Sequence, residues 1–174
     1  ENTTRFAANY ARRADKSLEL IDDPMSSAYL QPKTFFSGGG GLVGTSYDYW
    51  RFCEMLRRGG ELDGTRILGP RTIDLMRANH LPNGGDLSSL ALGAFSETAY
   101  EGIGFGLGFA TTLGAVDAGQ FGAGDYFWGG AASTIFWVDP HEDLVVIFMT
   151  QLMPSNTFNF RGQLKNLVYS AIVE

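Results

Sequence analysis

Cysteine, histidine and basic residues are scarce in this chain, and each scarcity removes a class of function. The single cysteine, Cys53, has no partner for an internal disulfide. With Phe52 and Met55 beside it, Cys53 reads as a small buried hydrophobe rather than a nucleophile. The two histidines, His80 and His141, lie far from each other and from Cys53, so no zinc-type ligand spacing exists and no metal site is expected. His80 ends an expected helix and His141 falls in an expected hairpin turn, both surface settings. Thirteen lysines and arginines against 19 acidic residues give a net charge of −6. That balance excludes the basic face that nucleic-acid phosphates require. No apolar run approaches the ~20 residues needed to span a bilayer, so no membrane partner is expected. No serine is followed three positions later by lysine and no G-x-S-x-G occurs, so the chain carries no recognisable nucleophile. No signal-peptide pattern is visible, and the opening residue, Glu1, leaves processing upstream open.

What remains is a soluble-domain composition with one excess. Apolar residues make up 44% and charged residues 18% of the 174, enough for a domain that buries ~70% of its unfolded surface. Glycine numbers 23, about 13% against a usual ~7%. The glycines gather at Gly38–Gly44, Gly102–Gly108 and Gly119–Gly130, each beside aromatic or aliphatic residues.

The periodicities predict a mixed architecture. TRFAANYARR (4–13) fits a short strand or a helical turn, and DDPMSSAYLQPK (22–33) reads as a loop. A helix is expected after Thr45, which forms a capping-box pattern with Asp48, and Gly59 stops it. Tyr49, Phe52, Cys53 and Leu56 would form its buried stripe. ELDGTRIL (61–68) predicts a hairpin turning at Asp63-Gly64. Pro70 opens a second helix to about Asn79, with Ile73 and Met76 inward. His80 to Tyr100 predicts a long surface excursion. GIGFGLGFATT (102–112) alternates Ile103, Phe105, Leu107 and Phe109 with Gly104, Gly106 and Gly108, which predicts one strand with a bare face. AASTIFWV and DLVVIFMT, joined across DPHE (139–142), predict a hairpin apolar on both faces, as in a sheet covered by helices on each side. FNFRGQLKNLVYSAIV (158–173) predicts a final helix facing inward through Phe160, Leu164, Leu167, Val168 and Ala171. The expected class is α+β, a three-layer α/β/α arrangement with an antiparallel sheet and a C-terminal helix.

Several patterns that imitate chemistry fail on context. Gly39, Gly41 and Gly44 fit G-x-G-x-x-G ahead of a helix, with Glu61 or Asp63 downstream. The apolar run before them is only Phe35-Phe36, and Thr45 stands where a phosphate loop has lysine, so nucleotide binding is not supported. Asp139, Glu142 and Asp143 read as a solvated turn. Ser133, Asp139 and His141 are neighbours in sequence, which does not supply the geometry of a triad. DYFWGGAASTIFWVDP (125–140) poses a sharper question, because Gly129-Gly130 open a buried strand with nothing to bury. Either they relieve crowding among Phe127, Trp128 and Phe136, or another group must approach that backbone closely.

SGGGGLVGTSYDYWRFCEMLRRGGELDGTRILGP, GFGLGF, WGGAASTIFWVDPHEDLVVIFMTQ and the final helix occur in one order. Together they resemble the C-terminal half of β-lactamase-related serine hydrolases, and are most similar to the esterases with a class C β-lactamase fold. The resemblance runs from about Phe35 to Ile172. It implies a serine nucleophile in S-x-x-K, a tyrosine motif, and a third motif on an edge strand. Trp128-Gly129-Gly130 matches the esterase form of that third motif. The first two motifs do not occur in this chain, which is expected to be inactive alone. The resemblance implies that the Ala131 N–H is one oxyanion-hole donor and that Trp128, Gly129 and Gly130 bind substrate, the glycines clearing the approach of an ester carbonyl. Trp128 replaces the lysine that attracts a β-lactam carboxylate, which implies small uncharged ester or amide substrates. No metal or organic cofactor is implied, and the compartment, bacterial cytoplasm or periplasm, is left open. A catalytically silent scaffold that binds a small ligand or a protein partner is the alternative.

Residues 1–174 are expected to form one partial domain, with about 35–100 belonging to a helical subdomain and about 101–174 to the sheet and last helix. Such a part leaves apolar surface uncovered, so self-association or a complementary N-terminal chain is expected. Light scattering of the isolated chain checks this: an oligomer or aggregate is expected, and a strict monomer contradicts it.

Overall fold

A computed structural model describes residues 3–90 and 100–173. A 3₁₀ turn (Thr3–Arg5) leads into β1 (Asn9–Arg12), which pairs antiparallel with β2 (Leu18–Asp22). TRFAANYARR thus contains both a helical turn and a strand. The polar loop after β2 holds one short 3₁₀ turn, Ala28–Leu30.

Helix α1 (Ser46–Arg57) begins as its capping box predicts. The Asp48 N–H donates to Thr45 Oγ1 at 3.1 Å, and the Thr45 N–H donates to Asp48 Oδ2 at 2.8 Å. Cys53 and Leu56 are buried as expected, whereas Tyr49 and Phe52 keep more than a third of their surface exposed. Glu54 is buried against expectation. Its carboxylate accepts from Arg57 Nε and Arg58 Nε, both at 2.6 Å, and Arg57 also pairs with Asp143 in a distant turn. After α1, β3 (Glu61–Leu62) and β4 (Thr65–Arg66) form the expected hairpin, with Asp63 and Gly64 at φ 50° and 76° as a type I′ turn requires. Helix α2 (Pro70–Arg77) starts on its proline and buries Ile73. It stops two residues short of Asn79, whose side-chain oxygen accepts from the Leu81 and Phe105 amides.

Most of the long excursion after His80 lies in residues 91–99, outside the described residues. Its earlier part is tied to the sheet, because Leu87 N–H donates to Ile103 O at 2.7 Å and Asp86 accepts from Gly102 N–H at 3.0 Å. Where alternation predicts one strand over 102–112, the chain folds into a hairpin of β5 (Ile103–Phe105) and β6 (Ala110–Thr112). Gly106 N–H closes the turn on Phe109 O at 2.7 Å, and Leu107 N–H donates to Met76 O at 2.8 Å. The bare side is real: a Cβ on Gly106 would sit 2.1 Å from Met76 O, so the end of α2 lies directly on this backbone.

A short helix, α3 (Ala115–Ala118), precedes β7 (Tyr126–Gly129), β8 (Ile135–Asp139) and β9 (Leu144–Phe148). The sheet order is β5-β6-β7-β8-β9, antiparallel throughout. Then β10 (Leu152–Met153) pairs parallel with β1, and α4 (Phe160–Ser170) ends the described structure. On one face, Tyr126, Phe136 and Val138 pack with Cys53, Leu56, Ile73 and Phe109. On the other, the Tyr169 ring stacks on Trp137 at 6.3 Å and Phe160 meets Phe148 at 5.8 Å. The sheet is therefore the middle of three layers, its strands apolar on both faces because helices cover both. No helix among the described residues is long and apolar enough to cross a membrane.

Glu54 gives this scaffold a defined acid sensitivity. Hydrogen bonds from Arg57 and then Arg58 hold its carboxyl at about 2 although burial opposes them. The folded value lies below the unfolded value of ~4.3, so this contribution is complete above that pH and lost as pH falls from ~4.3 towards 2. Urea unfolding as a function of pH should show stability falling across that window. The Glu54→Gln variant should flatten the fall, and an unchanged profile contradicts the assignment.

Candidate active site

Strand β7 carries WGG at its C-terminal end, and its pairing changes along its length. Tyr126 and Phe127 pair with both β6 and β8, whereas Trp128 and Gly129 pair with β8 alone, opposite Phe136 and Ile135. The third-motif strand is thus interior to the sheet, not at its edge. It becomes an edge only from Trp128 onward, because β6 runs out at Ala110. Trp128 points to the α1–α2 side, edge-to-face with Phe105 at 5.2 Å.

Beyond Gly129 the chain makes a tight turn into β8. The Gly130 N–H donates to Thr134 O, and the Ser133 N–H donates to Gly130 O, each at 3.1 Å. Ser133 is buried at φ 68°, and its hydroxyl donates to Leu152 O at 2.6 Å. Leu152 N–H returns a bond to Ala132 O at 3.1 Å. Two sides of the turn are thereby fixed, one to β8 and one to β10. Ala131 stands exposed at the tip, and its N–H enters no hydrogen bond among the described residues.

The opposite side of Gly129 is covered by Arg161, from the first turn of α4. A Cβ on Gly129 would lie 2.5 Å from Arg161 Cζ. Gly130 is similarly confined, its would-be Cβ 2.5 Å from Thr134 Oγ1. The bareness of Gly129 thus makes room for a guanidinium on the α4 side. The Arg161 Nη2 donates to Gly130 O at 2.7 Å and to Thr134 O at 3.2 Å.

Farther along α4, at i+4 and i+8 from Arg161, lie Lys165 and Tyr169. Lys165 is the fully buried residue of α4, while the expected inward residues Leu167 and Ala171 are exposed. Its ammonium meets Asp125 Oδ2 at 2.6 Å and sits 4.7 Å over the Phe127 ring. Thr112 Oγ1 donates to Asp125 Oδ1 at 2.6 Å. Tyr169 donates to Asp139 Oδ2 at 2.6 Å. Burial, the largest influence on each, pushes the Asp125 carboxyl up and the Lys165 ammonium down, and their contact opposes both shifts.

The remaining candidates separate in space. Ser133 precedes β8 and His141 follows it, so the five residues of that strand hold them apart and no triad forms. Asp139 is buried, not solvated: it accepts from the His141 and Glu142 amides and from Tyr169. Burial pushes the Cys53 thiol up to about 12, consistent with an inert core residue. No strand leads directly into the Gly38–Gly44 loop as a dinucleotide site requires; the element immediately before it is the 3₁₀ turn Ala28–Leu30. Among the described residues no group of three or more His, Cys, Asp or Glu side chains could hold a metal ion.

A sequence model of the Beta-lactamase family matches residues 1–169. The chain belongs to this family. Among curated relatives, Protein Rv1367c of Mycobacterium tuberculosis is 33% identical over 146 residues, which are 82% of this chain and 35% of that protein. Among solved structures, EstCE1, a hydrolase with promiscuous acyltransferase activity, superposes with a TM-score of 0.71 at 27% identity, covering 94% of this chain and 43% of that one. Simvastatin synthase (LovD) from Aspergillus terreus, as its LovD6 mutant, shares the fold with a TM-score of 0.74 at 23% identity, covering 97% of this chain and 42% of that one. The structural match falls in the C-terminal part of these structures, and the chain spans 35% of that curated relative and 42–43% of these structures.

The buried pair makes a sharp prediction. Removing one partner strands the other's charge, so Lys165→Ala should cost about 3–5 kcal/mol in urea unfolding. Lys165→Met combined with Asp125→Leu should recover most of that loss. A cost below about 1 kcal/mol for the single variant would show that the pair is not sequestered from water.

Proposed function

We propose that this β-lactamase-family chain supplies the oxyanion-binding wall of a serine esterase. The observation that carries the proposal is the exposed, unengaged Ala131 N–H, held at the tip of a braced turn where β7 loses its β6 partner. A carbonyl reaching that amide would place its developing negative charge on a preorganised donor. The nucleophilic serine and the lysine of S-x-x-K, with the tyrosine, belong to a part of the protein outside these 174 residues. In that reaction the serine hydroxyl attacks an ester or amide carbonyl while lysine and tyrosine relay its proton to the leaving group. Water then hydrolyses the acyl-serine and releases the acid.

The substrate class follows from Trp128. Its indole offers a neutral, aromatic wall where a lysine would attract an anion, which favours small uncharged esters over anionic lactams. The esterase reading is supported by EstCE1, described as a hydrolase with acyltransferase activity.

A protein extended through its S-x-x-K segment should give a stoichiometric burst with a chromogenic short-chain ester. Ala131→Pro, which removes the N–H, should lower kcat roughly 10²–10³-fold if its circular dichroism matches the parent. Absence of any acyl-enzyme burst in the complete protein refutes the proposal.

A further inference from the structure

We propose that Arg161 is a positioning residue for the oxyanion donor, an inference that rests on the serine-hydrolase function proposed for this site. The guanidinium lies across Gly129, and one of its nitrogens donates to Gly130 O at 2.7 Å and Thr134 O at 3.2 Å. Those carbonyls stand on the two limbs of the turn whose tip is Ala131. The turn therefore cannot open without breaking a charge-assisted contact on one side or the other.

Gly130 C=O and Ala131 N–H are the two ends of one peptide group. A cation bound to the carbonyl draws electron density through that amide and makes its N–H a stronger donor, as coupled hydrogen bonds do. The Ser133 N–H reinforces the effect by donating to the same carbonyl at 3.1 Å. Arg161 thus acts on both the place and the strength of the donor without touching substrate. Lysine is not equivalent here. A single ammonium lacks the planar fork and the flat face that fits against Gly129.

The test uses the full-length enzyme and a chromogenic short-chain ester. Arg161→Ala should lower kcat about 10- to 100-fold and leave KM within about twofold, the pattern of a lost transition-state interaction. Added methylguanidinium should restore part of the lost kcat. A variant that raises KM at unchanged kcat would make Arg161 a substrate contact and overturn the assignment, as would wild-type kinetics. If Arg161→Ala does not fold, Arg161→Lys serves instead: reduced kcat at unchanged KM supports the role, and wild-type kcat refutes it. If the wild-type enzyme forms no acyl-enzyme at all, the function fails separately, and hydrogen exchange decides the positioning. Faster exchange of the hydrogen-bonded Gly130 and Ser133 amides in Arg161→Ala then supports it, and unchanged exchange overturns it.

Discussion

Two cations on one face of α4 hold β7 at both ends, and the geometry at its tip depends on them. Lys165 pairs with Asp125 just before the strand, while Arg161 grips the turn just after it. Arg161 and Lys165 stand roughly 6 Å apart along the helix, whereas Asp125 to Gly130 spans roughly 16 Å of extended chain, a difference that the two long side chains bridge. The helix therefore acts as a rigid brace. Its register is set by Tyr169 as well, whose hydroxyl meets Asp139 on the neighbouring strand. A buried ion pair opposes a change of register because sliding would leave both charges uncompensated.

This brace explains why a strand in a packed sheet ends in a glycine, Gly129. The aromatic residues before it face opposite layers and fill both: Trp128 meets Phe105 on one side, and Phe127 lies under Lys165 on the other. At Gly129 the α4 side must admit a planar guanidinium, and any side chain would exclude it. In the proposed function, binding wall and structural anchor are two faces of the same four-residue strand.

Much of this architecture is written in local signals. Thr45 and Asp48, Asp63-Gly64, Pro70 and the two apolar runs around DPHE each act through short-range geometry, and each forms as predicted. The misreadings occur where a partner distant in sequence decides. The alternation of GIGFGLGFATT is compatible with one strand, and only the carbonyl of Met76 shows why it turns at Gly106. Lys165 looks like a solvent residue until Asp125, 40 positions earlier, is placed beside it. Arg161, Lys165 and Tyr169 do recur at helical spacing, which is a signal, but polar residues at that spacing ordinarily mark the wet face. The family resemblance identified WGG; the direction from which Gly129 is approached required the fold.

The central claim is that the Ala131 amide, fixed by Arg161 from behind, is the donor that meets developing charge. The direct measurement is a crystal structure of the complete protein after reaction with an alkyl phosphonate ester, whose phosphoryl oxygen stands in for the oxyanion. The expected result is that oxygen about 2.7–3.1 Å from the Ala131 nitrogen, with Arg161 still on Gly130 O. An adduct whose oxygen turns away from Ala131, or a complete protein in which another segment covers that amide, would contradict it.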